Sequence, residues 1–105
     1  MSLLPPDIRA KLPHLYAEEE KGLEALALVK FFTPDAHWTW YASEFDGDDT
    51  FFGLVAGHEI ELGYFSLREL ESVHGPLGLP IERDLYFEAA SLSVLLAMHN
   101  RQRTC

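Results

Sequence analysis

The sequence predicts an α+β fold: a single small domain with a four- to five-stranded antiparallel meander at its centre and helices on either side of it in the chain. Three observations carry this expectation. Short segments rich in Phe, Trp, Tyr, Val and Thr recur between residues 25 and 65, each closed by turn residues. The connections between them are a few residues long, whereas a parallel crossover needs a dozen or more, so consecutive strands must be antiparallel neighbours. After residue 66 the apolar spacing changes from two to three or four, the period of a helix.

Residues 1–24 read as a cover segment. Pro5 and Pro6 suit the first turn of a short helix, which must stop before Pro13 because proline disfavours helical geometry in the residue ahead of it. Its expected role is to cover a sheet edge. Glu18, Glu19 and Glu20, followed by Lys21 and Gly22, read as a solvated connection. The first strand spans 25–33, ended by Pro34 and Asp35. The second spans 38–45, ended by the turn Asp46, Gly47, Asp48 and Asp49, and the third spans 50–56. Gly57 and His58 turn the chain into a fourth, 59–65, where Ile60, Leu62 and Tyr64 alternate with Glu59, Glu61 and Gly63; that period of two is a half-buried strand with one wet face.

The last forty residues, 66–105, read as helix, loop, irregular strand and helix. Ser66 and Glu69 form a capping box opening a helix over 67–73, with Leu67, Leu70 and Val73 on its buried side. Gly75, Pro76, Gly78 and Pro80 punctuate a loop, and 81–87 reads as a fifth, less regular strand. From Ser91 to about residue 101, Leu92, Leu95, Leu96 and His99 recur at helical spacing, with Val94 and Met98 widening the stripe. This terminal helix is expected to lie across one sheet face. Trp38 and Trp40 share one side of their strand, Thr39 and Tyr41 the other. With rings on both sides, the second face is expected to meet a partner or a second copy.

The 105 residues are 48% apolar and 24% charged, the balance of an ordinary globular domain. No run approaches the ~18 apolar residues of a membrane span. The start of the chain shows no basic and apolar leader pattern, and the lone cysteine, Cys105, can form no intrachain disulfide; both fit a cytoplasmic protein. Eight Lys and Arg against seventeen Asp and Glu give a net charge of −9. Duplex binding depends on cations that neutralise phosphates, so direct nucleic-acid binding is disfavoured.

Phosphate-loop, dinucleotide and nucleophile-elbow motifs are absent, and the five histidines have no metal-ligand spacing. Asp46, Gly47, Asp48 and Asp49 superficially resemble a calcium loop but lack its further ligands and its closing glutamate, and are better explained as a hairpin turn. No catalytic residue, cofactor or metal ligand is assigned. The unusual feature is the charge map. Between Lys30 and Arg68 there is no lysine or arginine, yet Asp35, Glu44, Asp46, Asp48, Asp49, Glu59 and Glu61 all fall there. Interleaved with aromatic rings, these acids predict a surface that attracts a basic protein. Trp40, Glu44, Asp46, Asp48, Asp49, Glu59 and Glu61 are accordingly the candidate partner-binding residues. A homodimer is the other expectation, because a meander leaves edges that must be paired, covered or charged.

The segments 30–34 (Lys-Phe-Phe-Thr-Pro), 38–41 (Trp-Thr-Trp-Tyr), 44–47 (Glu-Phe-Asp-Gly), 52–55 (Phe-Gly-Leu-Val), 61–67 (Glu-Leu-Gly-Tyr-Phe-Ser-Leu), 75–80 (Gly-Pro-Leu-Gly-Leu-Pro) and 81–84 (Ile-Glu-Arg-Asp) resemble, in that order, a bacterial family of unknown function, number 2958. The resemblance covers roughly residues 4–88. It implies a small soluble bacterial protein, often associated with plasmids and other mobile elements, and supplies no functional residue. Sequence and resemblance together point to a non-enzymatic protein-binding module. Two alternatives differ in class. One is a nucleic-acid mimic that inhibits a host DNA-processing or defence protein, which needs its acids on one contiguous face. The other is a small metal-dependent hydrolase using Glu44, Asp46, Asp48, Asp49 and a histidine, which needs those groups to converge in a concave site.

Overall fold

The computed structural model describes residues 3–103, so Cys105 lies outside the described residues. Five strands form one antiparallel sheet. They are β2 (Val29–Phe32), β3 (Thr39–Phe45), β4 (Thr50–Ala56), β5 (Ile60–Ser66) and β6 (Glu82–Arg83), in the order β5-β4-β3-β2-β6. The four-stranded meander is therefore present, and β6 extends it beyond β2. A separate pair joins β1 (Leu26–Ala27) to β7 (Ala90–Ser91). The expected first strand is thus split at Leu28, its first part pairing with the chain just before the terminal helix. The expected fifth strand shrinks to the two residues of β6.

Among the described residues there are three α-helices, α1 (Pro6–Arg9), α2 (Leu67–Ser72) and α3 (Leu92–Arg103). Ser66 Oγ accepts from the Glu69 N–H at 3.2 Å, the cap predicted for α2. Ser91 Oγ plays the same part for α3, accepting from the Val94 N–H at 3.2 Å. No helix among the described residues is long and apolar enough to cross a membrane.

The sheet buries both faces. On one, Phe31, Trp40, Ala42, Phe45 and Phe51 pack with Leu3, Leu4 and Leu12 of the N-terminal segment and with Leu67 and Leu70 of α2. On the other, Tyr41 and Leu54 pack with Leu92 and Leu95 of α3. Two expectations are corrected here. The N-terminal segment covers a face rather than an edge, because its leucines insert beside Phe31 and Phe51. The face opposite α3, expected to meet a partner or a second copy, is packed by the chain's own N-terminal segment and by α2. Val73 and Val94 are exposed, since α2 ends before Val73 and α3 presents Val94 to the outside.

One irregularity re-aims the side chains at the end of β3. Ala42 pairs with Gly53 but Glu44 pairs with Phe52, so Ser43 is an extra residue, a β-bulge in β3. Without it, strict alternation would send Glu44 to the Phe31 and Phe51 side and Phe45 to the other. The bulge reverses this: Phe45 stacks into the core, 4.6 Å from the Phe51 ring, and Glu44 turns to the α3 side.

Candidate functional site

The acid-rich turn between β3 and β4 is occupied by its own hydrogen bonds. Asp46 Oδ1 accepts from the backbone N–H groups of Asp48, Asp49 and Thr50 at 2.8, 2.8 and 3.0 Å. Asp49 reaches across to α2: its Oδ2 accepts from Ser66 Oγ at 2.6 Å and its Oδ1 from the Arg68 N–H at 2.8 Å. The Arg68 guanidinium lies 3.0 Å from Asp48 and 3.9 Å from Asp49. Arg9 donates to the Gly47 carbonyl of the same turn. These carboxylates lock a hairpin onto a helix start.

Backbone donors hold the Asp46 carboxyl below the usual range, and the Ser66 hydroxyl followed by the Arg68 N–H does the same for Asp49. A carboxylate with a depressed folded pKa contributes stability that is present above its unfolded value, near ~3.9, and is lost as pH falls through the folded value. Asp49→Asn should therefore remove part of the stability lost on acidification, flattening that limb below about pH 4. Thermal melts across the acid range check this, and an unchanged pH slope would refute it.

The seven acids do not form one face. Asp46, Asp48 and Asp49 sit at the β3–β4 turn. Glu59 and Glu61 lie at the β4–β5 turn, the far end of a seven-residue strand, about 20 Å away at the usual rise. Asp35 uses Oδ2 to hold the N–H groups of Leu77 at 2.8 Å and Leu79 at 3.4 Å. Trp40 and Glu44 are buried, 9% and 5% exposed, so they offer no outer contact surface. The contiguous acidic face that mimicry requires is missing. The metal-dependent reading loses its constellation as well, because the turn carboxylates are turned onto backbone donors and Glu44 is directed elsewhere. No group of three or more His, Cys, Asp or Glu among the described residues is placed to hold a metal ion.

Glu44 leads to a different site. Re-aimed by the bulge, its carboxylate accepts from the Tyr16 N–H at 3.0 Å and the Glu18 N–H at 2.8 Å. This clamp holds Tyr16 at φ 70°, the left-handed region that non-glycine residues enter at a cost of about 1 kcal/mol. A 3₁₀ segment, Glu19–Glu24, follows, kinked at Gly22 with φ 53° and ψ −125°, a geometry only glycine takes readily. Together they arch residues 16–25 over the sheet and leave a cavity of about 180 Å³ beneath.

The cavity floor crosses three strands, from Glu44 of β3 through Phe52 of β4 to Leu62 and Tyr64 of β5, and Tyr16 lines it from the arch. Phe52 and Tyr64 meet edge to face, centroids 5.1 Å apart, and the Tyr64 hydroxyl lies 3.5 Å from that of Tyr16. Glu18 and Glu19 line the rim, Glu18 bridged to Lys21 at 2.8 Å. Three of the lining residues, Glu18, Glu19 and Glu44, are acids, and none is basic. The Tyr64 hydroxyl is pushed above its usual range by the bond to Tyr16, by burial, and then by the charges around it, Glu44 and Glu19 among them. Pockets that bury drug-sized ligands measure roughly 300–1,000 Å³, so this one is sized for a single side chain.

Two other concavities lie elsewhere on the sheet. A hollow of about 480 Å³ beside the end of α3 contains Lys30, His37, Trp38 and His99. Its lysine is 3.6 Å from Asp84, and Tyr41, whose hydroxyl lies 2.7 Å from His99 Nε2, is pushed up to about 12 by burial and by the charge of Asp84. At the β4–β5 turn, Trp38 stacks on Trp40 at 5.9 Å and meets His58 edge-on at 5.4 Å, with Glu59 and Glu61 nearby.

Of the expected partner-binding residues, only Glu44 belongs to the tyrosine-walled cavity. By sequence, Tyr16, Glu18 and Glu19 fall in a cover segment and a solvated connection, and Tyr64 on the apolar side of a strand. An aromatic residue set just before a glutamate run is the one signal the sequence offers.

A family model described as "Protein of unknown function (DUF2958)" matches residues 3–104, so the chain belongs to that family. The match extends beyond the resembling segments and takes in the terminal helix. No curated protein and no solved structure matches the chain.

Proposed function

We propose that this DUF2958 protein is a non-enzymatic protein-binding module whose working site is the tyrosine-walled cavity, and that the group it takes is a lysine or arginine side chain of a basic partner. The observation that carries this reading is a set of carboxylates lined by rings: Tyr16, Phe52 and Tyr64 border a space that Glu18, Glu19 and the buried Glu44 also line. Faces of aromatic rings attract a cation, by roughly 0.5–2 kcal/mol depending on desolvation. Two backbone N–H groups hold the Glu44 carboxylate without cancelling its charge, which leaves it to attract the cation. Tyr16 and Tyr64 remain 62% and 55% exposed, so the cavity is open to a partner. The net charge of −9 would draw such a partner in from a distance.

Calorimetric titration of a short arginine-containing peptide tests this. The native protein should bind it, and a Tyr16→Ala, Tyr64→Ala protein should lose about tenfold in affinity, the loss of two ring faces. Equal binding by both proteins would refute the cavity as the site. Binding that survives there but vanishes in Asp46→Lys, Asp48→Lys, Asp49→Lys would return the function to the hairpin turn.

A further inference from the structure

Building on that reading of the cavity, we propose that the partner's segment is extended and adds as a sixth strand along the outer edge of β5, presenting two cations three residues apart. β5 is the terminal strand of the sheet, and among the described residues no strand pairs with its outer side. Seven residues long, it is a template for a further strand. The cavity reaches this edge, because Leu62 and Tyr64 belong to both. They are 44% and 55% exposed, a partly open floor that an added strand would extend.

The register of β5 sets the spacing. Tyr64 pairs with Phe52 and lies on the cavity side, while Glu61 pairs with Val55 and lies on the other. Positions three apart on a strand point to opposite faces. A neighbouring strand with cations three apart places one in the cavity beside Tyr64 and the other against Glu61. Charge selects the occupant. β5 and the turn before it carry Glu59 and Glu61 and no lysine or arginine. A second copy would bring two chains of net charge −9 together at this edge with nothing on β5 to offset them. A basic extended segment meets the same edge favourably.

The test uses the full chain and a peptide with the pattern Thr-Arg-Val-Thr-Lys-Val. It is compared with the same peptide N-methylated at alternate backbone nitrogens, with a variant whose cations are two residues apart, and with arginine amide as a probe of the cavity alone. The parent peptide should bind and slow hydrogen exchange at β5 amides. N-methylation should weaken it about tenfold or more by removing strand hydrogen bonds. The closer spacing should weaken it too, and Glu61→Lys should favour a peptide carrying glutamate in place of lysine. An N-methylated peptide that binds equally well, still sensitive to Tyr64→Ala, overturns strand addition and leaves the cavity reading standing. Binding of arginine amide but not of the parent peptide likewise overturns strand addition alone. Binding of neither overturns both. Concentration-dependent dimerisation that protects β5 amides in the protein alone shows that a second copy occupies the edge, and also overturns the proposal.

Discussion

Gly53→Ala should cost more than about 4 kcal/mol and leave little folded protein, the largest effect expected of any single methyl group in this chain. Gly53 lies in β4 opposite the bulge, paired with Ala42 on one side and Gly63 on the other. A Cβ built there would stand 1.7 Å from the Tyr41 carbonyl oxygen and 2.8 Å from its carbon. Both are backbone atoms of a central strand, so relief requires breaking the β3–β4 pairing. The cross-strand partner supplies the control: a Cβ at Gly63 meets nothing within 4 Å. Gly63→Ala should therefore fall within about 0.5 kcal/mol of native. Thermal unfolding followed by circular dichroism separates the two, and similar melting points for both variants would contradict the packing described for the bulge. The bulge matters to the proposed site because it turns Glu44 into the cavity, and Gly53 is what lets β4 lie against it.

Glu44→Ala should destabilise the protein by about 2–3 kcal/mol and also loosen residues 16–18. The carboxylate makes two hydrogen bonds to backbone N–H groups, each stronger than a neutral pair because the acceptor is charged. Removing it leaves both donors without a partner and releases the strained Tyr16. In a domain of this size that corresponds to a fall in melting temperature of about 10–20 °C. Glu44→Gln keeps one acceptor oxygen and should lose about half as much. An alanine variant that melts with the native protein would show that the arch over the cavity is held by something else. The two predictions act in sequence: one removes the geometry that aims Glu44, the other removes the group being aimed.

The frame of the fold was legible because its signals are local. Turn residues at Asp46 to Asp49 and at Gly57, alternation along 59–65, and the Ser66 cap each report on a few neighbouring residues, and each corresponds to an element observed. The short pairs escaped for the opposite reason. Leu26 and Ala27 pair with Ser91 and Ala90, and Glu82 and Arg83 with Phe32 and Phe31, contacts separated by fifty residues or more that leave no local periodicity. The N-terminal leucines are broken up by prolines, so nothing in their spacing marks a buried face.

The site was less legible than the fold. Residues 40–45 are buried on both sides of the sheet, so no alternation of polar and apolar residues betrays the extra residue at Ser43. Strict alternation therefore assigns Glu44 to the wrong face, and its acidity then groups it with the turn that follows. The three aspartates of that turn look like a cluster in sequence, but their hydrogen bonds run to Asp48, Asp49, Thr50, Ser66 and Arg68. Tyr16 gains meaning only when the arch brings it to Tyr64, forty-eight positions away.

The most direct measurement of the central claim is a nuclear magnetic resonance titration of the native protein with an arginine-containing peptide, following backbone amides and aromatic ring protons together. The account predicts that the largest shifts fall on Tyr16, Glu44, Phe52, Leu62 and Tyr64, with the two tyrosine rings moving most because a cation enters between them. Shifts centred instead on Asp46 to Asp49, or on Trp38 and His58 at the far turn, would contradict it.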